Sequence, residues 1–318
     1  MGSSPLLQME QVSKTFKVQG KTLHAVNDVS FNLYSGQTLG LVGESGSGKS
    51  TIGRLALRLL EVDEGRVVFE GTDLTKMKAN KLRALRQNMQ VIFQDAQASL
   101  SPRMTISQSI EDGMIIHGIG TAKERNKRID EVLERVGLPS SVRYAFPHEL
   151  SGGQLQRIGI ARAITLNPKM IVCDEPISAL DVSIQVQVIQ LLRELQDEMG
   201  LAYIFISHNL GVVEYISQEV AVLYLGNVVE KAPAEELFKN PIHPYTKLLM
   251  ESILSVPADS NHKREFSMVK GDLPSPFSPP SGCPFHPRCP FAMEKCKSQK
   301  PQSQHVSDSH QVACFLAE

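Results

Sequence analysis

The stretch Gly43-Glu44-Ser45-Gly46-Ser47-Gly48-Lys49-Ser50-Thr51 fits the spacing G-x-x-x-x-G-K-[ST]. Such a loop does one kind of chemistry. Its glycines let the backbone turn its N–H groups inward as an anion nest, and the helix that follows adds a favourable dipole for phosphate. Lys49 would reach the β- and γ-phosphates, and the Ser50 hydroxyl would ligate Mg²⁺. By itself the loop says only "nucleoside triphosphate"; kinases, GTPases, repair ATPases and transport motors all share it. A second site for chemistry is Lys169-Met170-Ile171-Val172-Cys173-Asp174-Glu175, an apolar run that ends in two acids. At the C-terminal edge of a parallel sheet such acids lie beside a phosphate loop. Asp174 would hold Mg²⁺ through water, and Glu175 would polarise an attacking water. His208 closes the next apolar run, Ala202–Ile206, at the same edge, which points to a role near the γ-phosphate.

These groups need a sheet and helices to hold them. Thr38–Val42 reads as the strand entering the loop, and Ile52, Leu55, Ala56, Leu59 and Leu60 as one face of the helix leaving it. Residues 6–35 read as strands, with Val29, Phe31 and Leu33 alternating against Ser30 and Asn32. Short strands follow at 66–70 and 90–93, flanking a basic helix over Lys76–Asn88 that reads as a solvated face. From about 96 to 166 the pattern is all helical. One helix there opens on the capping box Thr121-Ala122-Lys123-Glu124, carries Ile129, Val132, Leu133 and Val136 as its stripe, and stops at Gly137. The α/β pattern resumes with a helix over Ile184–Met199 and a hairpin turn at Leu225-Gly226-Asn227-Val228. Phe16, well upstream of the loop, reads on its own as an ordinary core aromatic.

Bulk properties narrow the class. The 318 residues include 33 basic and 34 acidic side chains, net charge −1, which gives no global drive toward nucleic acid. No apolar run is long enough to span a membrane. The N-terminus shows no secretory pattern, and Leu6 stands where a myristoylation motif wants Ser or Thr. The expectation is a cytosolic protein that works at a membrane only by docking on something else.

The pentapeptide Leu150-Ser151-Gly152-Gly153-Gln154 opens a helix through Arg157, Ile160 and Ala163. Physically it is a second anion site, small residues at a helix N-terminus. In order with the other motifs it resembles the signature of ATP-binding cassette (ABC) ATPases. That resemblance covers nearly the whole chain and implies a fold: an α/β P-loop (RecA-like) nucleotide-binding domain with an antiparallel β subdomain, a helical signature subdomain and a small Cys-rich C-terminal extension. The implied boundaries are 1–95 with 167–232 for the core, 96–166 for the helical part and 233–318 for the extension, its four-cysteine segment at 271–318. It implies that Phe16 stacks on adenine and that Gln94 contacts Mg²⁺ and the attacking water. It implies too that His208 contacts the γ-phosphate and that Ser178-Ala179-Leu180-Asp181 is a D-loop, with Asp181 communicating across a dimer. Each ATP is then shared between one chain's loop (Gly43, Ser45, Gly46, Ser47, Gly48, Lys49, Ser50, Thr51) and the other's Ser151, Gly152, Gly153 and Gln154. Gly159 stands where relatives often carry Ala.

Two further stretches are similar to the ATPases of dipeptide and oligopeptide importers and their nickel-importing cousins. They are Asn240-Pro241-Ile242-His243-Pro244-Tyr245-Thr246, and the tail from Gly271-Asp272-Leu273-Pro274-Ser275-Pro276 to Cys283-Pro284-Phe285-His286-Pro287-Arg288-Cys289-Pro290. The resemblance implies an F-type subunit paired with a D-type paralogue, two transmembrane permease subunits and an extracytoplasmic solute-binding protein. Such a subunit sits peripherally on the cytoplasmic face of the bacterial inner membrane and does not act on nucleic acid. A soluble ABC ATPase working on nucleic acid or ribosomes is the reading of another class; its usual tandem cassettes, coiled-coil insertions and basic tracts do not occur here.

Cys173 sits alone in a strand and reads as packing. Cys283, Cys289, Cys296 and Cys314 are spaced C-x5-C-x6-C-x17-C, without the usual zinc knuckle. Four thiolates at this spacing suit either zinc or an iron–sulfur cluster. Relatives with this tail are associated with a 4Fe-4S cluster, so the resemblance implies one with all four cysteines as ligands, and His286 as a lesser substitute.

Overall fold

The computed structural model describes residues 4–253 and 274–317. Residues 271–273 of the tail motif and residue 318 lie outside them. The strands are β1 (Leu7–Val18), β2 (Lys21–Leu33), β3 (Thr38–Val42), β4 (Glu64–Phe69), β5 (Thr72–Asp73), β6 (Met89–Ile92), β7 (Met170–Asp174), β8 (Ala202–Ile206), β9 (Glu219–Tyr224), β10 (Asn227–Pro233), β11 (Gln304–His305) and β12 (Gln311–Val312). The helices are α1 (Lys49–Ala56), α2 (Ala79–Leu85), α3 (Ile106–Ile116), α4 (Ala122–Arg135), α5 (Gly152–Ile164), α6 (Val182–Met199), α7 (Leu210–Ile216), α8 (Ala234–Lys239), α9 (Pro244–Ile253) and α10 (Glu294–Ser298). They fall into two compact units, one of residues 4–6, 33–38 and 69–207, the other of 7–32, 39–68 and the described residues from 208 on.

In the first unit β6, β7 and β8 run parallel, Ile92 beside Cys173 and Asp174 beside Ile206. Every residue of β7 and β8 is buried. This is why the two strands read as unbroken apolar runs, since a parallel sheet covered on both faces leaves no polar side. Helix α6 buries Val188, Ile189, Leu191, Leu192 and Leu195, and the Tyr203 hydroxyl on β8 donates to Leu192 O at 3.0 Å. Helices α3, α4 and α5 pack together as the expected helical segment. The Thr121–Glu124 capping box is present, and Ile129, Val132 and Leu133 are buried.

The second unit holds one sheet of order β2-β1-β4 and a second run of order β11-β12-β10-β9-β3. Strand β3 lies parallel to β9, and β9–β10, β10–β12 and β11–β12 are antiparallel. Val29, Phe31 and Leu33 are buried as their alternation requires. The hairpin turn is Leu225-Gly226, both at positive φ (45° and 76°), the two-residue primed turn that matches strand twist.

Two helices are shorter than the apolar spacing suggests. Helix α1 stops at Ala56, and Leu59 is 44% exposed, outside the buried face. The cause is a left-handed Arg58 (φ 52°). Its N–H donates to Leu55 O, and Leu59 N–H to Arg54 O, which closes the helix as a Schellman motif. The basic stretch Lys76–Asn88 is helical only over Ala79–Leu85, followed by a 3₁₀ turn at Arg86–Asn88, because Lys78 is extended (ψ 147°).

Candidate functional site

In the second unit, buried β3 delivers the chain to Gly43 and α1 begins at Lys49. Glycine is required at both ends of the loop. At Gly43 (φ 148°) a Cβ would lie 2.2 Å from Leu223 O, and at Gly48 (φ 101°) 2.3 Å from Ala25 O. Gly48 caps α1 with no side-chain hydrogen bond of its own, the arrangement that suits an anion at a helix N-terminus. Lys49 is buried, and its Nζ donates to Gly43 O (2.8 Å), Glu44 O (2.9 Å) and Ser47 Oγ (3.4 Å). The ammonium is thus held within the loop. Ser45 and Gly46 form its exposed tip; Ser47 is buried, and Ser50 and Thr51 are half-buried. Phe16 on β1 is half-buried rather than core, with Lys14 Nζ 5.6 Å from its ring centre. His208 is exposed just ahead of α7, whose N-cap Asn209 accepts from Val212 N–H.

In the first unit Asp174 ends β7 and is 8% exposed. Glu175 follows in the left-handed region (φ 48°), its N–H donating to Ile206 O at 3.0 Å. Gln94 Nε2 donates to Glu175 Oε2 at 2.9 Å, so two of the residues singled out by sequence meet directly. The signature pentapeptide opens α5. Ser151 caps α5, its Oγ accepting from Gln154 N–H while Gln154 Oε1 accepts from Ser151 N–H at 3.0 Å. Leu180 and the start of α6 pack against the start of this helix: Leu180 Cδ2 lies 3.8 Å from where a Cβ on Gly152 would be, and Ile184 Cγ2 2.9 Å from one on Gly153. A side chain at Gly153 would push the two segments apart. Asp181 is the exposed N-cap residue of α6.

Cys283, Cys289, Cys296 and Cys314 line one small cavity with His243, Phe285, Phe291 and Phe315. Burial, and then the neighbouring Cys296, Cys314 and Cys289, push the Cys283 thiol up to about 11. Burial followed by the other sulfurs also raises Cys289 and Cys314. His243 is fully buried, which lowers its pKa to about 3; its Nδ1 accepts from Tyr245 N–H at 3.0 Å. Four thiols lining one apolar-walled space are of the type that could serve a thiolate-bound metal group. Among the described residues, however, no three or more His, Cys, Asp or Glu side chains are gathered as a site for a metal ion. Cys173 is buried in β7, where burial raises its thiol pKa far above the usual range.

Some residues escaped the sequence reading. Arg288 forms an ion pair with Glu44 of the loop, and Tyr245 accepts a hydrogen bond from the same residue. His310 lies between Glu230 (2.8 Å) and Glu236 (3.0 Å), almost completely buried. The quoted motifs contain Arg288 and Tyr245, but nothing in their spacing names Glu44 as the partner.

Residues 26–178 match the ABC transporter family model, and residues 229–296 match the model for the oligopeptide/dipeptide transporter C-terminal region. The chain is 50% identical over 315 residues to a putative peptide import ATP-binding protein of Brucella ovis, covering 99% of both. It is 49% identical to the oligopeptide transport ATP-binding protein AppF of Bacillus subtilis, covering 98% of this chain and 97% of that one. Among solved structures it resembles the ATP-binding cassette MJ0796, a dimer bound to ADP and Pi, with a TM-score of 0.66 and 30% identity over 72% of this chain and 98% of that one. It also resembles cbiO1 of Clostridium perfringens, part of an ABC transporter complex, with a TM-score of 0.67 and 25% identity over 80% and 97%. With the phosphate loop, the signature helix and the Gln94–Glu175 pair in place, this chain belongs to the ABC transporter ATPase family, in the group that carries the oligopeptide/dipeptide transporter C-terminal region.

Proposed function

We propose that this ABC ATPase is the energy-coupling subunit of a bacterial importer for dipeptides or oligopeptides. The observation that carries the ATPase part is the Gln94–Glu175 contact at the end of a buried strand, beside Asp174. The peptide part rests on the match to the C-terminal region and on the names of the full-length relatives. In this reading Phe16 stacks on adenine. The loop from Gly43 to Thr51 holds the phosphates, with Ser50, Gln94 and Asp174 around Mg²⁺. Glu175 positions the water, and His208 contacts the γ-phosphate.

One chain carries one phosphate loop and one signature, so a second cassette is required to place Ser151–Gln154 over the ATP; Asp181 acts across that interface. The partners are a paralogous D-type ATPase, this chain being the F-type, together with two permease subunits and a solute-binding protein. No described helix is long and apolar enough to cross a membrane, and docking on the permease subunits would hold the chain at the cytoplasmic face of the inner membrane. The divisions 1–95 with 167–232, 96–166 and 233–318 are retained as functional segments. The four tail cysteines would hold a 4Fe-4S cluster, zinc being the alternative, and such a group would supply cross-linking of the tail. Nickel, glutathione, opines, murein peptides and haem are the other solutes a motor of this kind serves.

The test is to isolate the tagged chain from its host's membranes in mild detergent and to identify what accompanies it. A related ATPase, two membrane subunits and a binding protein loaded with peptide are expected. Association with ribosomal or repair proteins, without membrane subunits, would overturn the transport reading.

A further inference from the structure

Glu44 is the only acidic residue between Gly43 and Thr51, and a carboxylate there would repel the phosphates the loop is read as binding. The structure keeps it occupied. Its two carboxylate oxygens accept from Arg288 Nη1 and Nη2, both at 3.0 Å, a bidentate fork that fixes orientation as well as charge. Its backbone N–H donates to Tyr245 Oη at 2.9 Å. The Arg288 side chain is only 9% exposed and rests 5.8 Å from the Tyr224 ring centre. Tyr224, Tyr245 and Phe285 form a buried aromatic bed with centroid separations of 4.7, 5.2 and 5.4 Å. Two successive turns, His286 N–H to Cys283 O and Arg288 N–H to Phe285 O, fix the backbone that presents the guanidinium. On the loop side, Glu44 O accepts from Ser47 N–H (3.2 Å) and from Lys49 Nζ (2.9 Å). Residue 44 is therefore gripped by the C-terminal segment at its side chain and N–H, and grips the phosphate-binding lysine through its carbonyl.

We infer that Arg288 and Tyr245 are positioning residues for the phosphate loop: the Cys-rich tail sets the loop's backbone through Glu44, and nucleotide affinity depends on that clamp. The inference rests on reading Gly43–Thr51 as the ATP-phosphate site. An alternative role for Arg288, simple neutralisation of Glu44, makes a different forecast, which allows the two to be separated.

The experiment is calorimetric titration of the full-length chain with MgADP, for wild type, Arg288→Met, Glu44→Gln and the double variant, with Lys49→Ala as the control for the site. Removing a negative charge beside phosphate should by itself tighten binding, so under neutralisation alone Glu44→Gln binds as well as wild type or better, and the double variant matches it. Positioning forecasts the opposite sign. Each single variant and the double variant weaken MgADP by about tenfold, without additivity, as expected when all three break one bidentate pair. In the assembled transporter the loss should appear in KM for ATP, with kcat nearly unchanged. Wild-type affinity in Glu44→Gln or in the double variant overturns the inference. Should Arg288→Met fail to fold, Glu44→Gln, which leaves the tail sequence intact, decides the matter by the sign of its effect. No MgADP binding by wild type, or binding unchanged in Lys49→Ala, would instead overturn the reading of the loop and the inference with it.

Discussion

A carboxylate that orients water works only if it is itself held still, and Glu175 is held from three sides. Its backbone occupies the left-handed region at φ 48°, a conformation that costs a non-glycine residue on the order of 1 kcal/mol. Its N–H is tied to Ile206 O, and its carboxylate accepts from Gln94. Strain retained at such a position is characteristic of a functional site. Glu175→Gln keeps the shape and removes the proposed base. ATP should still bind, while phosphate release by the assembled transporter should fall by about 10² to 10⁴, the range of general-base contributions. Turnover close to wild type would remove Glu175 from the role given to it. The position of Glu175 after a buried strand was legible in the sequence because an apolar run ending in two acids is a distinctive pattern. Its strained backbone was not, because φ there is imposed by the neighbouring strand through Ile206.

At the scale of elements, what the sequence disclosed depended on whether the deciding residue was a glycine. Helix α4 ends on Gly137 (φ 71°), with Gly137 N–H to Glu134 O and Leu138 N–H to Leu133 O. Helix α1 ends with the same pair of bonds, but its left-handed residue is Arg58. The first stop could be read from sequence. The second could not, and the in-phase leucines at 59 and 60 extended the expected helix past its real end. The capping box at Thr121 was equally plain, whereas the one the structure shows at Ser151, within the signature, was not read from the sequence. The signature helix also offers a clean test of helix propensity. A Cβ on Gly159 would meet nothing within 4 Å apart from the helix's own backbone. Gly159→Ala should therefore stabilise the fold by about 1 kcal/mol, raising the thermal midpoint by about 2 °C, with ATP turnover unchanged. A lower midpoint by calorimetry would show that α5 needs its glycine for a reason other than space.

Across the chain as a whole, the C-terminal segment is the part that its own core does least to explain. Among the described residues from 274 on, Phe285 and Val312 are the large apolar side chains that are buried. Such a core is too small to order a segment of this length. Part of the deficit is met by attachment: β12 pairs with β10 at Glu230 and Lys231, and His310 packs against Glu230 with both side chains at 2% exposure or less. In the proposed reading the rest falls to a group held by the four cysteines that line one cavity. Protonated thiols add little to a core, and burial already disfavours ionisation of Cys283, Cys289 and Cys314. A bound cationic group reverses that balance by drawing the thiolates to it, so that binding free energy becomes folding free energy. The chain purified without exposure to air should then carry iron and acid-labile sulfide at about four each per chain. Cys296→Ser should lose both and lower the thermal midpoint of the full chain. If Arg288 transmits the order of the tail to Glu44, that variant should also bind MgADP more weakly while Gln94 and Glu175 remain intact. Stoichiometric zinc without sulfide would replace the cluster with a mononuclear site and leave the cross-linking argument standing. A metal-free chain with an unchanged midpoint in Cys296→Ser would show that attachment through β12 and His310 suffices by itself.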